Sequence, residues 1–243
     1  MKKMRRFLLI LCLLTVISAL PACGRTKAPE RTEAPSAEAP AVTRPEPTAA
    51  FEETEPEEPD AMYGPVLDAY YTALDEGWGV EKYMEANLNY LPGVVGDPWK
   101  VGYCMEDLDG DGVPELLIGS VEGSYIYAMY TMKEGAPVLV LRGSERNTYQ
   151  LVSDGAFFSR GSNGAACTGY NFYTFYDGQL HFQDALIFNA DADPENPWFY
   201  AMDEDWDVSN DLPYGTGDAE AHIQMVESAL VEIYYVPFAQ YND

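Results

Sequence analysis

The residues whose types and spacing are best suited to chemistry lie in one acidic stretch, Asp107-Leu-Asp-Gly-Asp-Gly-Val-Pro-Glu115. Asp107, Asp109 and Asp111 occupy positions 1, 3 and 5 of a calcium-loop pattern, and carboxylates at this spacing converge on one hard cation. The alternative is an acidic hairpin turn of the Asp-Gly type, which needs no ion. We favour the calcium loop because two neighbouring residues also fit a cation site.

The two neighbouring residues that also fit a cation site are Gly112 and Val113. Gly112, at position 6, allows the sharp turn, and we expect the carbonyl of Val113, at position 7, to be a further oxygen ligand. An EF-hand has a bidentate Glu at position 12, where this chain has Ile118, so Glu115 at position 9 becomes the last side-chain ligand. The flanking sequences are too short and too β-like for helices. The sequence therefore predicts an EF-hand-like calcium loop that joins two strands.

A second acidic stretch repeats part of this pattern. Asp203, Asp205, Asp207 and Asp211 have the same 1, 3, 5, 9 spacing, but position 6 is Val208. A valine would strain the sharp turn that a calcium loop needs. We expect a solvated loop here, with a second cation site as the alternative.

The net charge restricts the partners of this chain. It carries 40 acidic and 14 basic residues, a net charge of -26 at neutral pH. Most of the excess lies in residues 61–243, which hold 30 acidic and 6 basic residues. A domain of this charge repels polyanions, so nucleic acid is not expected as a partner. The same excess favours folding that depends on divalent cations.

The N-terminus has the features of an export signal. A basic start, residues 1–6, precedes an apolar run over residues 7–20 that is too short for a stable transmembrane helix. The sequence Leu20-Pro-Ala-Cys23 resembles a bacterial lipoprotein box, in which the cysteine receives the lipid. We therefore predict a signal peptide over residues 1–23, lipid on Cys23, and a location on the outer face of the bacterial cytoplasmic membrane.

Composition divides the remainder of the chain into two parts. Residues 24–60 consist mainly of Pro, Glu, Ala and Thr, and a segment so poor in apolar residues is predicted to be a disordered linker. Residues 61–243 are long enough for a single domain. This domain contains Cys104 and Cys167, and export permits a disulfide between them. Each also fits a strand as a small buried residue, so both states remain open.

Hydrophobic periodicity predicts helices near both ends of this domain. In the first, apolar residues from Tyr63 to Trp78 follow the helical period, with Asp60 as a cap and Gly77 as a stop, and a shorter helix follows over residues 80–88. The last runs from Asp218, a plausible N-cap, to about Tyr235.

Between these helices the pattern is that of strands. Turn signals at Glu134-Gly135, Asp154-Gly155 and Asp177-Gly178 separate runs of β-forming residues over 125–188. Short connections make neighbouring strands antiparallel. We therefore predict an α+β fold: an antiparallel β-meander that forms one curved sheet, with the N-terminal helices and the C-terminal helix packed against it.

The order of these features resembles a family of lipoproteins of Gram-positive, clostridia-like bacteria. The resemblance rests on the lipoprotein box, the Pro/Glu-rich linker and the helix sequence Val-Leu-Asp-Ala-Tyr-Tyr. Its most specific part is the loop sequence Asp-x-Asp-Gly-Asp-Gly-x-Pro-Glu-Leu. It implies a surface location, a divalent site at Asp107, Asp109, Asp111, Val113 and Glu115, and no activity. The loop alone is also similar to calcium loops of integrin-type propeller repeats, but a propeller needs several blades and this chain has one such loop.

Two functions remain in competition. The first is a non-catalytic, calcium-binding surface module that recognises a cell-wall glycan, an envelope protein or another extracellular ligand. It is favoured because the sequence has no Gly-x-Ser-x-Gly, no His-Glu-x-x-His, no phosphate loop and no cluster of Cys and His. The alternative is a glycan-acting hydrolase, since a pair of carboxylates suffices for that chemistry.

Overall fold

The computed structural model describes residues 59–91, 97–152 and 155–242. The predicted signal peptide, Cys23 and the predicted linker up to residue 58 lie outside these residues. The described part contains three α-helices: α1 (Pro59–Asp75), α2 (Val80–Glu85) and α3 (Thr216–Glu227). Among the described residues, no helix combines the length and the apolar character that crossing a membrane requires.

Within the residues that the structure describes, eleven β-strands form one open sheet. They are β1 (Val101–Glu106), β2 (Glu115–Ser120), β3 (Ile126–Lys133), β4 (Ala136–Arg142), β5 (Asn147–Leu151), β6 (Ala156–Ser162), β7 (Cys167–Tyr176), β8 (Gln179–Asn189), β9 (Trp198–Ala201), β10 (Leu212–Pro213) and β11 (Val236–Pro237). The spatial order is β10-β9-β8-β7-β6-β5-β3-β2-β1-β11, and β4 also pairs with β3. Each pair is antiparallel and most join consecutive strands, so the predicted α+β fold with a curved, meandering sheet is confirmed.

Two of the hairpins have the turns that the sequence predicts. Glu134 and Gly135 have φ angles of +52° and +77°, and Asp177 and Gly178 have φ angles of +53° and +62°. Two consecutive residues with positive φ form the tight turn whose twist matches that of paired strands. These turns set the registers of β3 with β4 and of β7 with β8.

The helix α1 covers one face of the sheet. Its residues Tyr63, Leu67 and Tyr70 are fully buried in a cluster that also contains Leu116 and Ile118 of β2. Side chains alternate along a strand, so Leu117 points to the opposite face and joins a second cluster there. Both faces of β2 are therefore covered, and any side chain at the start of this strand is removed from water.

The C-terminal helix is shorter than predicted. α3 ends at Glu227 and not near Tyr235, and its N-cap is Gly215 and not Asp218. Residues 231–236 are mostly β-branched or aromatic, which favours extended backbone, and β11 pairs with β1. At the other end of the domain α1 begins at Pro59, so Asp60 lies inside the helix that it was predicted to cap.

Candidate metal centre

The predicted calcium loop connects β1 to β2. The two strands pair in antiparallel register, with Glu106 opposite Glu115, so the loop joins two strands as predicted. Gly110 and Gly112 have φ angles of +77° and +87°. L-residues with a side chain rarely adopt this conformation, which accounts for glycine at both positions.

Carboxylates of the loop bind its own backbone. Asp107 accepts hydrogen bonds from the N–H groups of Gly110 (2.8 Å) and Gly112 (3.0 Å), one on each carboxylate oxygen. Asp111 accepts one from the N–H of Val113 at 2.7 Å. These bonds fold the chain back on itself, so the conformation of the loop is defined by its own side chains.

Three carboxylates converge beside this loop. One oxygen from each of Asp107, Asp109 and Glu115 lies within 4.8 Å of the other two. Asp107 is exposed, Asp109 is half-buried and Glu115 is buried. Three convergent carboxylate oxygens are ligands that hard cations prefer, so this group can hold a metal ion.

The other two predicted ligands are placed differently. Asp111 lies outside the convergent group, and its carboxylate faces the N–H of Val113. Its charge nevertheless acts on the site, because it contributes to raising the pKa of Glu115. The ligand roles of Asp111 and of the Val113 carbonyl stay predictions.

Glu115 is the buried member of the group, with 1% of its surface exposed. Its Oε1 accepts a hydrogen bond from the hydroxyl of Thr131 on β3 (3.0 Å), and its Oε2 accepts one from the N–H of Leu108 (3.0 Å). Burial raises the pKa of Glu115 to about 7, the charges of Asp109 and Asp111 add to the rise, and the two hydrogen bonds oppose it. A cation at this place would favour the ionised form and offset both causes of the rise.

Distant elements also hold the loop. The N–H of Gly178, in the β7–β8 turn, donates to Asp109 Oδ2 at 3.2 Å. The hydroxyl of Tyr63 on α1 donates to the carbonyl of Pro114 at 2.8 Å. The pKa of Tyr63 is raised by burial and further by the charges of Glu115 and Asp111. The loop is thus fixed between the first helix and a hairpin far along the chain.

These contacts were missed by sequence reasoning. Thr131, Gly178 and Tyr63 are separated from their partners in the loop by 16, 69 and 51 residues. The Asp-Gly turn signal at residue 178 was visible in the sequence, but nothing in it indicated that the turn would lie beside Asp109.

The second acidic stretch has a different structure. Among the described residues, its four aspartates form no comparable group of convergent oxygens. Asp207 caps a short 3-10 helix, Val208–Asn210, by accepting from the N–H of Ser209. The pKa of Asp211 is raised by burial and then by the charges of the other three aspartates. The ring of Trp206 fills the space beside Gly169, so this loop is attached to the sheet by an aromatic side chain.

Cys104 and Cys167 are both free. Burial, followed by the charge of Glu106, raises the pKa of the Cys104 thiol to about 12. A thiol with so high a pKa is a poor nucleophile at neutral pH. The structure contains no disulfide between these two described residues, and Cys104 is half-buried against the second core cluster.

Fold and site together define an α+β protein with a carboxylate-rich candidate metal centre between two strands. Comparison of the chain with protein-family models, with curated proteins and with solved structures found no match.

Proposed function

We propose that this protein is a lipid-anchored, extracellular calcium-binding module that is not an enzyme and that recognises a cell-surface or extracellular ligand, such as a cell-wall glycan or an envelope protein. The observation that carries the proposal is the convergence of Asp107, Asp109 and Glu115 within 4.8 Å. The lipid anchor on Cys23 is supported by the sequence of the N-terminus.

Calcium is the metal that best suits this donor set. All three side chains offer carboxylate oxygens, which hard cations prefer over the softer metals that bind imidazole and thiolate. Calcium accepts six to eight oxygen ligands in flexible geometry, so carbonyls and waters can complete its shell around an irregular loop. Magnesium requires a near-ideal octahedron and gives up its waters reluctantly, so we expect it to bind more weakly.

Calcium binding should be coupled to folding. Without an ion, three carboxylates face one another in a domain that already has a large excess of negative charge. A dissociation constant of about 0.1 mM is in the range of extracellular modules, and roughly 1 mM calcium would then add about 1.4 kcal/mol to the free energy of unfolding.

The hydrolase alternative receives less support. Glu115 has the raised pKa of a general acid, but it is 1% exposed and both of its oxygens accept hydrogen bonds, so a glycan could not reach it. A surface cavity of about 320 Å³ contains Glu122 and Glu232 beside Tyr234. Both of these carboxylates are exposed, whereas a glycosidase acid is held in poorly solvated surroundings.

A calorimetric titration tests the proposal. Residues 24–243 in chelator-treated buffer at pH 7.5 should bind one calcium ion per chain, and magnesium should bind at least about tenfold more weakly. The same samples, with and without calcium, should then be mixed with cell-wall glycans. Binding without bond cleavage supports the proposal. Release of shorter glycans would favour the hydrolase, and no heat of calcium binding would contradict the metal site.

A further inference from the structure

We propose that a second site, on the sheet surface near Arg146 and Arg160, binds the phosphate group of a small phosphomonoester. The site is a surface cavity of about 270 Å³. Its lining includes two arginines, three hydroxyl side chains and one carboxylate, namely Arg146, Arg160, Thr148, Ser162, Thr168 and Glu145. None of these residues belongs to the calcium loop.

Strand register brings the side chains of this cavity together. Arg160 on β6 lies opposite Thr148 on β5 and opposite Tyr170 on β7. Ser162 lies opposite Thr168 two residues further along the same strands. Residues two apart on a strand share a face, so these side chains line one side of the sheet.

The two arginines have no carboxylate partner within the part of the chain that the structure describes. Ion pairs there join Lys82 to Glu76 and Lys100 to Asp97, and neither Arg146 nor Arg160 takes part in one. Lys133 and Arg142 also lack an ion pair there, but Arg146 and Arg160 differ from them because both line one cavity. Two unpaired cations beside one cavity can receive an anion supplied from outside the protein.

Contacts restrict the side chain of Arg160 and the backbone of Arg146. The guanidinium of Arg160 lies 5.6 Å above the ring of Tyr170, and stacking of this kind restricts the side chain while leaving its N–H groups free to donate. The carbonyl of Arg146 accepts a hydrogen bond from the N–H of Ser162 at 2.8 Å, which ties the start of β5 to the end of β6. Thr168 is half-buried at the cavity and adds a hydroxyl donor.

Charge and size favour a phosphomonoester. A guanidinium fork matches both carboxylate and phosphate, but a carboxylate carries one charge and a phosphomonoester carries nearly two, which matches two arginines. The cavity exceeds the size of one phosphate group, so there is room for an attached sugar or glycerol unit. A long polyanion is disfavoured by the net charge of the domain, whose repulsion acts along its whole length.

The negative charge of Glu145 allows a test in which the expected change in anion affinity is opposite to that for the arginines. Its carboxylate lines the same cavity and opposes an anion there. Removing its charge should strengthen anion binding, whereas removing the charge of Arg146 or Arg160 should weaken it. Arg142 is a matched control, since it is an exposed arginine of the same sheet that donates to Asn87 and lies outside the cavity.

The experiment is an NMR titration of isotope-labelled residues 24–243 at constant ionic strength in calcium-free buffer, which separates it from the metal centre. Inorganic phosphate and glycerol 3-phosphate are the two probes, and acetate is the monoanion control. We expect amide shifts at residues 145–148 and 160–168, with a dissociation constant for inorganic phosphate on the order of 1 mM, because the site is open to solvent. Tighter binding of glycerol 3-phosphate identifies an esterified phosphate as the ligand, and equal binding identifies the free anion.

The variants distinguish a specific phosphate-binding site from nonspecific electrostatic attraction of the anion to the protein surface. Arg160→Gln and Arg146→Gln should each raise the dissociation constant at least about fivefold, and Glu145→Gln should lower it about twofold. Arg142→Gln should leave it within about twofold. Equal weakening by Arg142→Gln and Arg160→Gln, equal affinity for acetate, or no localised shifts at 20 mM phosphate would each overturn the proposal. Arg146→Gln keeps the test valid if the Arg160 variant does not fold.

Discussion

Glu115 is a carboxylate in a place where ionisation is costly. It is almost fully removed from water at the start of a strand that is covered on both faces. Two hydrogen bonds satisfy its oxygens but leave its charge without a cationic partner among the described residues. A buried charge needs a counter-charge to avoid a large desolvation cost, and a bound divalent cation provides one.

This environment predicts a pH dependence of the calcium-free protein. The folded pKa of Glu115, about 7, lies above the ordinary value of 4.5, so its contribution to stability is complete below about pH 4.5 and is lost as the pH rises through 7. Glu115→Gln cannot ionise and lacks this dependence. Between pH 5.5 and 8, the free energy of unfolding of the unmutated protein should therefore fall by about 1–3 kcal/mol relative to the variant.

Chemical denaturation in chelator-treated buffer at several pH values measures this difference. Glu122→Gln is the control, because Glu122 is an exposed glutamate and its removal should leave the pH profile of the unmutated protein intact. Parallel profiles for Glu115→Gln and the unmutated protein would show that Glu115 does not carry the effect.

Residue types and spacing predicted where the candidate site lies, but not its environment. The Asp-Gly pattern located Asp107, Asp109 and Glu115 because the ligand spacing of a calcium loop is local. The burial of Glu115 and its contact with Thr131 depend on how β2 and β3 pair. Pairing of this kind is a tertiary property that no short stretch encodes.

At the scale of elements, α1 supports the loop through a single hydroxyl. Tyr63 and Tyr83 are both fully buried tyrosines, on α1 and α2. The Tyr63 hydroxyl donates to the carbonyl of Pro114, whereas the Tyr83 hydroxyl is buried without a hydrogen-bond partner among the described residues. The two helices therefore offer a matched pair of substitutions.

Tyr63→Phe should lower the free energy of unfolding by about 1–2 kcal/mol, because it removes a hydrogen bond and leaves the Pro114 carbonyl unpaired. Tyr83→Phe should change it by less than about 0.5 kcal/mol, or raise it, because it removes an unsatisfied polar atom. Denaturant unfolding of both variants in calcium provides the measurement. Equal losses would mean that burial of the ring, and not the bond to the loop, explains the role of Tyr63.

The elements that sequence patterns predicted well are those with local signals. The hairpin turns at Gly135 and Gly178 follow from a Glu-Gly pair and an Asp-Gly pair, and their positive φ angles bear this out. The predicted end of α3 was wrong because Leu230 and Ile233 continue the helical period of Val226, which made the helix look longer in the sequence. In the structure Leu230 instead bridges to Val152, and the next regular element beyond it is the strand β11, so tertiary contacts override the period.

At the scale of the whole molecule, the proposed export would act together with the charge of the domain. The predicted lipid anchor would hold the domain outside the cell, where millimolar calcium is available to a weak site. Bound calcium would reduce the self-repulsion of a domain with 30 acidic and 6 basic residues. The proposed location and the proposed metal are therefore consistent with each other.

The anchor itself is tested by Cys23→Ala in a Gram-positive host. Because the cysteine is the predicted lipid acceptor, the variant should lose membrane attachment or accumulate as uncleaved precursor. Cell fractionation and the mass of the product provide the measurement, with Cys104→Ala as the control that keeps the anchor. An unchanged mass and unchanged partition into the membrane would rule out lipid on Cys23.

The most direct test of the central claim is the calcium dependence of the melting temperature at low salt for three proteins: unmutated, Asp109→Ala and Asp205→Ala. A gain of about 1.4 kcal/mol from roughly 1 mM calcium corresponds to about 3–6 °C for a domain of this size. Asp109→Ala should abolish this shift, since it removes a carboxylate from the convergent group, and Asp205→Ala should retain it. A melting curve of the unmutated protein that calcium leaves unchanged, or a loss of the shift in Asp205→Ala alone, would contradict the account.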